Sequence, residues 1–264
     1  VHEAWALDWQ THGDSAVLNQ KLLETSPSRV YGGVSASEWA EGIAAFLRST
    51  HMNGKWIVAV GHSAGAGAMV LLTQAFSLAT LPYAALVLVE PTMITREHFY
   101  RNVDDRMAPL ELAAAATAAR RTRWRSRDEA HTWLARRIPW KSWDARVARP
   151  LSTHGLAEAP GGSVVLKCAL NQEALGYADT APQFAAAEQL GRISHAVPVH
   201  LVWARDSLVC AQLSHIFGNG SAGRVAASTA TLEGGHQIVQ ENPDAVADAI
   251  CAVLDTLRPS RSKL

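Results

Sequence analysis

A short run of small residues, Gly61-His62-Ser63-Ala64-Gly65, constrains the fold of this chain more than any other stretch. It follows an apolar run at 56–60 that is typical of a buried strand, and a helical pattern follows it over 66–75. A strand that passes directly into a helix needs a very tight turn, in which side chains two residues before or after the serine would collide with neighbouring backbone. The pattern predicts a strained turn that lifts the Ser63 hydroxyl above the sheet. A Gly/Ala-rich packing turn with a bystander serine is the alternative.

Composition excludes several other classes of protein. Lys plus Arg and Asp plus Glu both number 24, so no net charge favours nucleic acid or an anionic membrane as a partner. The three cysteines lack the spacing of a metal site, and no apolar run reaches the roughly 20 residues that a transmembrane helix needs. We therefore expect no metal, no nucleic acid and no transmembrane segment.

Strand and helix patterns alternate along much of the chain. A continuous apolar run at 84–89 indicates a buried parallel strand, and 197–204 again has the character of a strand. Helical spacing over 37–49 begins near Ser35 or Ser37, either of which can serve as the N-cap. Such alternation predicts an α/β fold, with a mostly parallel sheet and helices on both faces.

One long segment, 92–196, interrupts this alternation with Arg- and Ala-rich helical patterns. An insertion of this length between two core strands predicts a helical cap that supplies a substrate pocket. The expected domains are thus a core made of 1–91 and 197–264 and a cap made of 92–196. We interpret the arginines as a solvated face with local ion pairs, and an anion-binding patch as the alternative.

Candidate partners for Ser63 follow it at predicted strand ends and loops. A serine hydroxyl is a weak nucleophile, so it needs a general base, and the base needs an orienting carboxylate. His236 lies in a Gly-Gly-His loop and is the predicted base, whereas His62 is expected to pack locally or line the pocket. Asp206 directly follows a predicted strand and is the predicted acid. Glu90, which ends another strand, is the alternative acid.

These motifs resemble the α/β-hydrolase superfamily, in which nucleophile, acid and histidine follow in this order. The matching stretches are Gly61-His-Ser-Ala-Gly65, Leu86-Val-Leu-Val-Glu-Pro91, and Gly235-His236 with Glu241-Asn-Pro243. Residues 5–15 and 163–174 are similar, more narrowly, to fungal hydrolases grouped with toxin-biosynthesis proteins and peroxisomal lipases. The resemblance implies cofactor-free cleavage of carboxylic esters by Ser63, Asp206 and His236. The backbone amide of Ala64 would then contribute to the oxyanion hole.

Residues 8–15 have the pattern Asp-x-x-x-x-Gly-x-Ser and resemble the loop that ends the fourth strand of that fold. Gly13 precedes Ser63 by 50 residues, which fits this placement. We therefore expect 3–7 to form a strand, and the first three strands of the fold to be missing from this chain. The loop that supplies the second oxyanion amide would be missing with them.

The last three residues, Ser262-Lys263-Leu264, match the signal that the peroxisomal import receptor reads. A polar, basic stretch at 258–261 precedes them and would leave them accessible. The sequence thus predicts a location in the peroxisome matrix for a eukaryotic protein, with a random polar tail as the alternative.

Three functions remain open from the sequence. The leading one is a peroxisomal serine hydrolase, esterase- or lipase-like, that acts on a small apolar or lipid-like ester or on a thioester. The second is a catalytically impaired hydrolase-fold protein that binds a partner, because loss of an oxyanion donor lowers turnover by about 10²–10³. The third is an acyltransferase that uses the same residues.

Overall fold

The computed structural model describes residues 1–213 and 223–257, which form two compact units. We call residues 40–95 with the described residues of 182–257 the parallel-sheet unit, and residues 1–39 with 96–181 the small-sheet unit. The expected domains have different bounds, since residues 1–39 were predicted to belong to the core and instead cluster with 96–181.

The strands are β1 (Ile57–His62), β2 (Tyr83–Val89), β3 (Arg123–Trp124), β4 (Leu156–Ala159), β5 (Ser163–Leu166), β6 (Val199–Ala204) and β7 (Ser228–Leu232). The helices up to the middle of the chain are α1 (Gly13–Leu18), α2 (Gln20–Thr25), α3 (Pro27–Gly32), α4 (Ala36–Leu47), α5 (Ala64–Leu71), α6 (Arg96–Arg101) and α7 (Val103–Ala118). The later helices are α8 (Arg127–Leu134), α9 (Ala145–His154), α10 (Leu170–Ala178), α11 (Ala181–Ile193), α12 (Leu208–Leu213), α13 (Ile238–Glu241) and α14 (Pro243–Thr256).

The parallel-sheet unit is built on four parallel strands in the order β1-β2-β6-β7, counted over the described residues. Residues 85–89 of β2 are completely buried, and β6 is buried along its whole length. Both strands lie inside the sheet, which explains why β2 is a continuous apolar run and why β6 is apolar apart from His200. The predicted strands at 56–60, 84–89 and 197–204 are present as β1, β2 and β6, and all pair in parallel. The expected burial of the first is wrong, because β1 lies at one end of the described sheet and Val60 is 43% exposed.

Helices pack on this sheet through small and β-branched side chains. Ala66 and Ala68 of α5 are completely buried, so the helix can lie close to the strand that precedes it. One core cluster joins β2 and β6 to α13 and α14, and its buried members are Val87, Val89, Val202, Ala204, Ile238, Val246 and Val253. Each such valine contributes about 1.5–3 kcal/mol by leaving water. The ends of β2 and β6 are thereby fixed by packing.

The small-sheet unit contains the antiparallel sheet β3-β5-β4 and its own core of Trp124, Ala130, Leu156 and Val164. Its arginines pair with nearby acids, such as Arg121 with Glu129 at 2.9 Å and Arg127 with Glu158 at 2.8 Å. The expected solvated face with local ion pairs is therefore present.

The predicted strand at 3–7 is wrong. Residues 1–9 form no helix or strand, and the Trp5 side chain is 52% exposed. The Asp8 carboxylate instead accepts hydrogen bonds from the backbone amides of Asp14, at 2.9 Å, and Ser15, at 3.4 Å, in the first turn of α1. The Asp-x-x-x-x-Gly-x-Ser pattern thus closes a loop onto the start of a helix, and this local contact needs no strand before it.

The start of α4 is also fixed locally. The Ser35 hydroxyl accepts from the Glu38 amide at 3.1 Å, and the Glu38 carboxylate accepts from the Ser35 amide at 3.0 Å. This reciprocal capping box identifies Ser35, and not Ser37, as the N-cap.

Candidate active site

Ser63 stands at the turn between β1 and α5. Its backbone has φ 53° and ψ −121°, a region that costs a non-glycine residue about 1–3 kcal/mol. The surroundings hold it there, because its amide donates to the carbonyl oxygen of Val89 at 3.0 Å. A Cβ atom on Gly61 would lie 2.6 Å from the Gly65 carbonyl oxygen and from Ala66 Cα, so only glycine fits. The predicted strained turn is confirmed.

The ring of His236 lies within hydrogen-bonding distance of both the serine and a carboxylate. Ser63 Oγ is 2.9 Å from His236 Nε2, and His236 Nδ1 is 3.0 Å from Glu90 Oε2. A carboxylate only accepts, so Nδ1 carries the ring proton and Nε2 is left to accept the proton of the serine hydroxyl. The arrangement is that of a nucleophile, a general base and an orienting acid.

Glu90 is a fully buried carboxylate, held from several directions. It directly follows β2 and has φ 48° and no exposed surface. Its Oε1 accepts from the Ala204 amide at 2.7 Å, and its Oε2 also accepts from the Ser207 hydroxyl. Burying a charge is expensive unless donors compensate it, and these donors lie on the neighbouring strand end.

Asp206 is not in contact with His236, which corrects the predicted acid. Its side chain is exposed, and its backbone amide donates to the Gly234 carbonyl oxygen at 3.0 Å. The turn after β6 directs Ser207 inward and Asp206 toward solvent. The place expected for Asp206, beside His236 Nδ1, is occupied by the alternative acid, Glu90.

The loop that carries His236 is anchored by contacts that the sequence analysis missed. The Gly235 amide donates to Glu241 Oε2 at 2.7 Å, and His62 Nε2 lies 2.8 Å from the His236 carbonyl oxygen. Burial lowers the pKa of His62. The sequence carries one signal for the first contact, since Glu241 follows the Gly-Gly-His motif at a spacing that a short helical turn can bridge.

Ala64, the predicted oxyanion donor, is the first residue of α5. The first amides of a helix have no acceptor within the helix, and the helix dipole favours negative charge at this end. The position of its amide beside Ser63 is therefore compatible with the predicted role.

Residues 1–213 and 223–257 include no group of three or more His, Cys, Asp or Glu side chains that could hold a metal ion. Within the same ranges, no helix combines the length and the apolar character needed to cross a bilayer.

Comparisons with solved structures support the same fold. The peroxisomal α/β-hydrolase Lpx1 of Saccharomyces cerevisiae matches with a TM-score of 0.69 and 18% identity, over 97% of this chain and 68% of that one. A thioesterase domain from the curacin biosynthetic pathway matches with a TM-score of 0.58 and 18% identity, over 84% and 74%. An esterase of Mycobacterium tuberculosis also has a TM-score of 0.58 at 18% identity, over 84% and 69%.

A search of curated protein sequences finds no match. The model of the alpha/beta hydrolase family, however, matches residues 2–249, which is nearly the whole chain. The strained serine turn and the parallel sheet agree with that match, and the chain therefore belongs to the α/β-hydrolase family.

Proposed function

We propose that this protein is a serine hydrolase that cleaves carboxylic esters through an acyl-enzyme, with Ser63 as nucleophile, His236 as general base and Glu90 as acid. The observation that carries the proposal is the continuous chain of contacts from Ser63 Oγ through the His236 ring to the buried Glu90 carboxylate, at 2.9 and 3.0 Å. A serine bound in this way loses its proton as it attacks, which an ordinary surface serine cannot do.

The contacts define the direction of proton transfer. His236 Nε2 takes the hydroxyl proton as Ser63 Oγ attacks the acyl carbon, and the ring becomes positively charged. Glu90 stabilises that charge through Nδ1, and the Ala64 amide faces the oxyanion. His236 then gives the proton to the leaving alkoxide. A water molecule, activated by the same ring, next attacks the acyl-serine and releases the acid.

The substrate class is proposed from the family and from the sequence. Two of the similar structures are a thioesterase domain and an esterase, so an acyl group joined through oxygen or sulfur is the substrate that the site fits best. We expect a small apolar or lipid-like acyl group. With an alcohol in place of water, the same residues would transfer the acyl group, and adding an acceptor alcohol to the assay separates the two outcomes.

We also propose a location in the peroxisome matrix. The carboxyl-terminal Ser262-Lys263-Leu264 matches the import signal and lies outside the described residues. The likeness to a peroxisomal hydrolase supports the same assignment.

Labelling with a fluorophosphonate probe tests the proposed function. The probe phosphonylates activated serines, so the wild-type protein should label rapidly, and Ser63→Ala should not label at all. Ser77→Ala, which changes an exposed serine, is the matched control and should label like the wild type. Labelling that persists in Ser63→Ala, or a folded wild-type protein that never labels, would overturn the proposal.

A further inference from the structure

We infer that His62 is a positioning residue, which holds the backbone of His236 so that its ring stays in line with the serine. The inference rests on the proposed function, since it assigns a role to a side chain that the proposed mechanism does not use. It replaces the expectation that His62 only packs locally or lines a pocket.

The contact has a defined direction. His62 Nε2 lies 2.8 Å from the carbonyl oxygen of His236. A carbonyl oxygen only accepts, so Nε2 of His62 carries the proton and donates it. The two rings lie beside each other, with centroids 5.3 Å apart and planes tilted by 37°.

Two adjacent residues therefore contact one residue at two places. His62 binds the backbone of His236, whereas Ser63 binds the ring of the same residue. His62 is the last residue of β1, and its strand pairing ends opposite Val89 of β2. The rigid end of the sheet thus fixes both the backbone and the ring of the base.

The loop before His236 needs such a support. Gly234 has φ 140°, and Gly234 and Gly235 carry no side chains that could anchor the loop. The His236 side chain is itself 35% exposed, so packing alone does not confine it. The bond from the Gly235 amide to Glu241 holds one end of this segment, and the bond from His62 holds the carbonyl at the other end.

The chemistry of an imidazole suits this place. Burial is the largest influence on the pKa of His62 and lowers it, which favours the neutral form, although the hydrogen bond to the His236 carbonyl and the Glu90 carboxylate both act in the opposite direction. A neutral imidazole donates a hydrogen bond without placing a fixed positive charge beside a ring that becomes positive in the transition state. A lysine or arginine at this position would add such a charge.

A matched pair of variants tests the inference. In His62→Gln the amide nitrogen can occupy about the place of Nε2 and donate to the same carbonyl. In His62→Met the side chain has a similar length and no donor. We would measure kcat and KM with a short-chain p-nitrophenyl ester, the rate of fluorophosphonate labelling, and Tm.

The expected result separates geometry from stability. His62→Met should lower kcat and the labelling rate by about tenfold or more, because small misplacements of a catalytic group can lower rates up to about a hundredfold. Its KM and its Tm should stay close to those of His62→Gln, and His62→Gln should keep most of the wild-type kcat. Equal rates in the two variants, or a loss that follows Tm alone, would overturn the inference.

Two further outcomes keep the test decisive. If His62→Met does not fold, His62→Asn takes its place, since the shorter amide cannot reach the carbonyl, and it should then be slower than His62→Gln. If the wild-type protein itself resists the probe, the proposed function fails together with this inference. If the wild type labels and the donor makes no difference, only the role of His62 fails.

Discussion

Replacing Glu90 by glutamine tests which carboxylate serves His236. The variant keeps the size of the side chain and removes its charge, whereas Asp206→Asn makes the matched change at the acid that the sequence favoured. Glu90 is completely buried and lies 3.0 Å from His236 Nδ1, and Asp206 is exposed. The two substitutions should therefore have very different effects on turnover.

The magnitude follows from the distance between the charges. With about 4 Å between the charge centres of the carboxylate and the imidazolium, and an effective dielectric constant of about 20, the interaction is about 4 kcal/mol, or about 10³ in rate. An amide can also hold the ring in the wrong tautomer, and the equivalent change in serine proteases lowers kcat by about 10⁴. We expect Glu90→Gln to lower kcat/KM by about 10³–10⁴. Asp206→Asn should stay within about threefold of wild type, since solvent and salt screen an exposed charge.

The assay is steady-state hydrolysis of a p-nitrophenyl ester at several salt concentrations, with circular dichroism to confirm that each variant is folded. The assignment of Glu90 would be refuted if Asp206→Asn lost about 10³ in kcat/KM while Glu90→Gln stayed close to the wild-type value. A large and equal loss in both variants would also contradict it, because the exposed carboxylate would then be acting on the ring.

Two other predictions concern the support of the acid and the address of the protein. Ser207→Ala removes a donor to Glu90 Oε2 and should lower kcat/KM by about ten- to a hundredfold, since a hydrogen bond to a charged group contributes about 1.5–3 kcal/mol. Ser207→Thr retains the hydroxyl and should lower kcat/KM less. An unaltered rate in Ser207→Ala would contradict this role. A fluorescent fusion should enter peroxisomes, and deleting Ser262-Lys263-Leu264 should leave it in the cytosol, whereas continued import would show that the tail is not the address.

The parts of the fold that could be predicted are those that local sequence dictates. The turn at Ser63 requires glycine at 61, because backbone atoms approach within 2.6 Å of where a Cβ on Gly61 would stand. The run at 84–89 consists of apolar residues, and that at 197–204 is apolar apart from His200, because strands inside the sheet are covered on both faces. Each pattern depends on residues that are close together in the sequence, so it can be recognised without knowledge of the rest of the chain.

The N-terminal segment could not be predicted in the same way. Five residues with an apolar character fit a short strand and an irregular segment equally well, because pairing with a second strand decides between them. In the structure, Asp8 binds the first turn of α1, and Lys167 pairs with Asp14 of that turn. The ion pair of Lys167 with Asp14 joins residues that are far apart in sequence, so no local sequence pattern predicts it.

The choice of acid depends on which side chains at the ends of β2 and β6 point inward, which the sequence does not state. Along the chain, the strand that Glu90 follows and the strand that Asp206 follows both come after the nucleophile, and both ends lie at the same edge of the sheet. In space β2 is the neighbour of β1, whereas β6 lies one strand further away. The acid must reach His236, however, which follows β7, and β6 is the neighbour of β7, so strand order alone does not favour Glu90. Orientation separates the two acids, since Glu90 is completely buried and lies 3.0 Å from His236 Nδ1, whereas Asp206 is exposed.

The end of β6 nevertheless contributes to the site. The Ala204 amide and the Ser207 hydroxyl both donate to the Glu90 carboxylate, so this strand supplies the donors that allow a charged group to be buried at the end of β2. A carboxylate at 207 would face Glu90 across that contact and repel it, because two like charges would then share one buried place. The inward serine and the outward Asp206 are thus the arrangement that an acid on β2 requires of its neighbour.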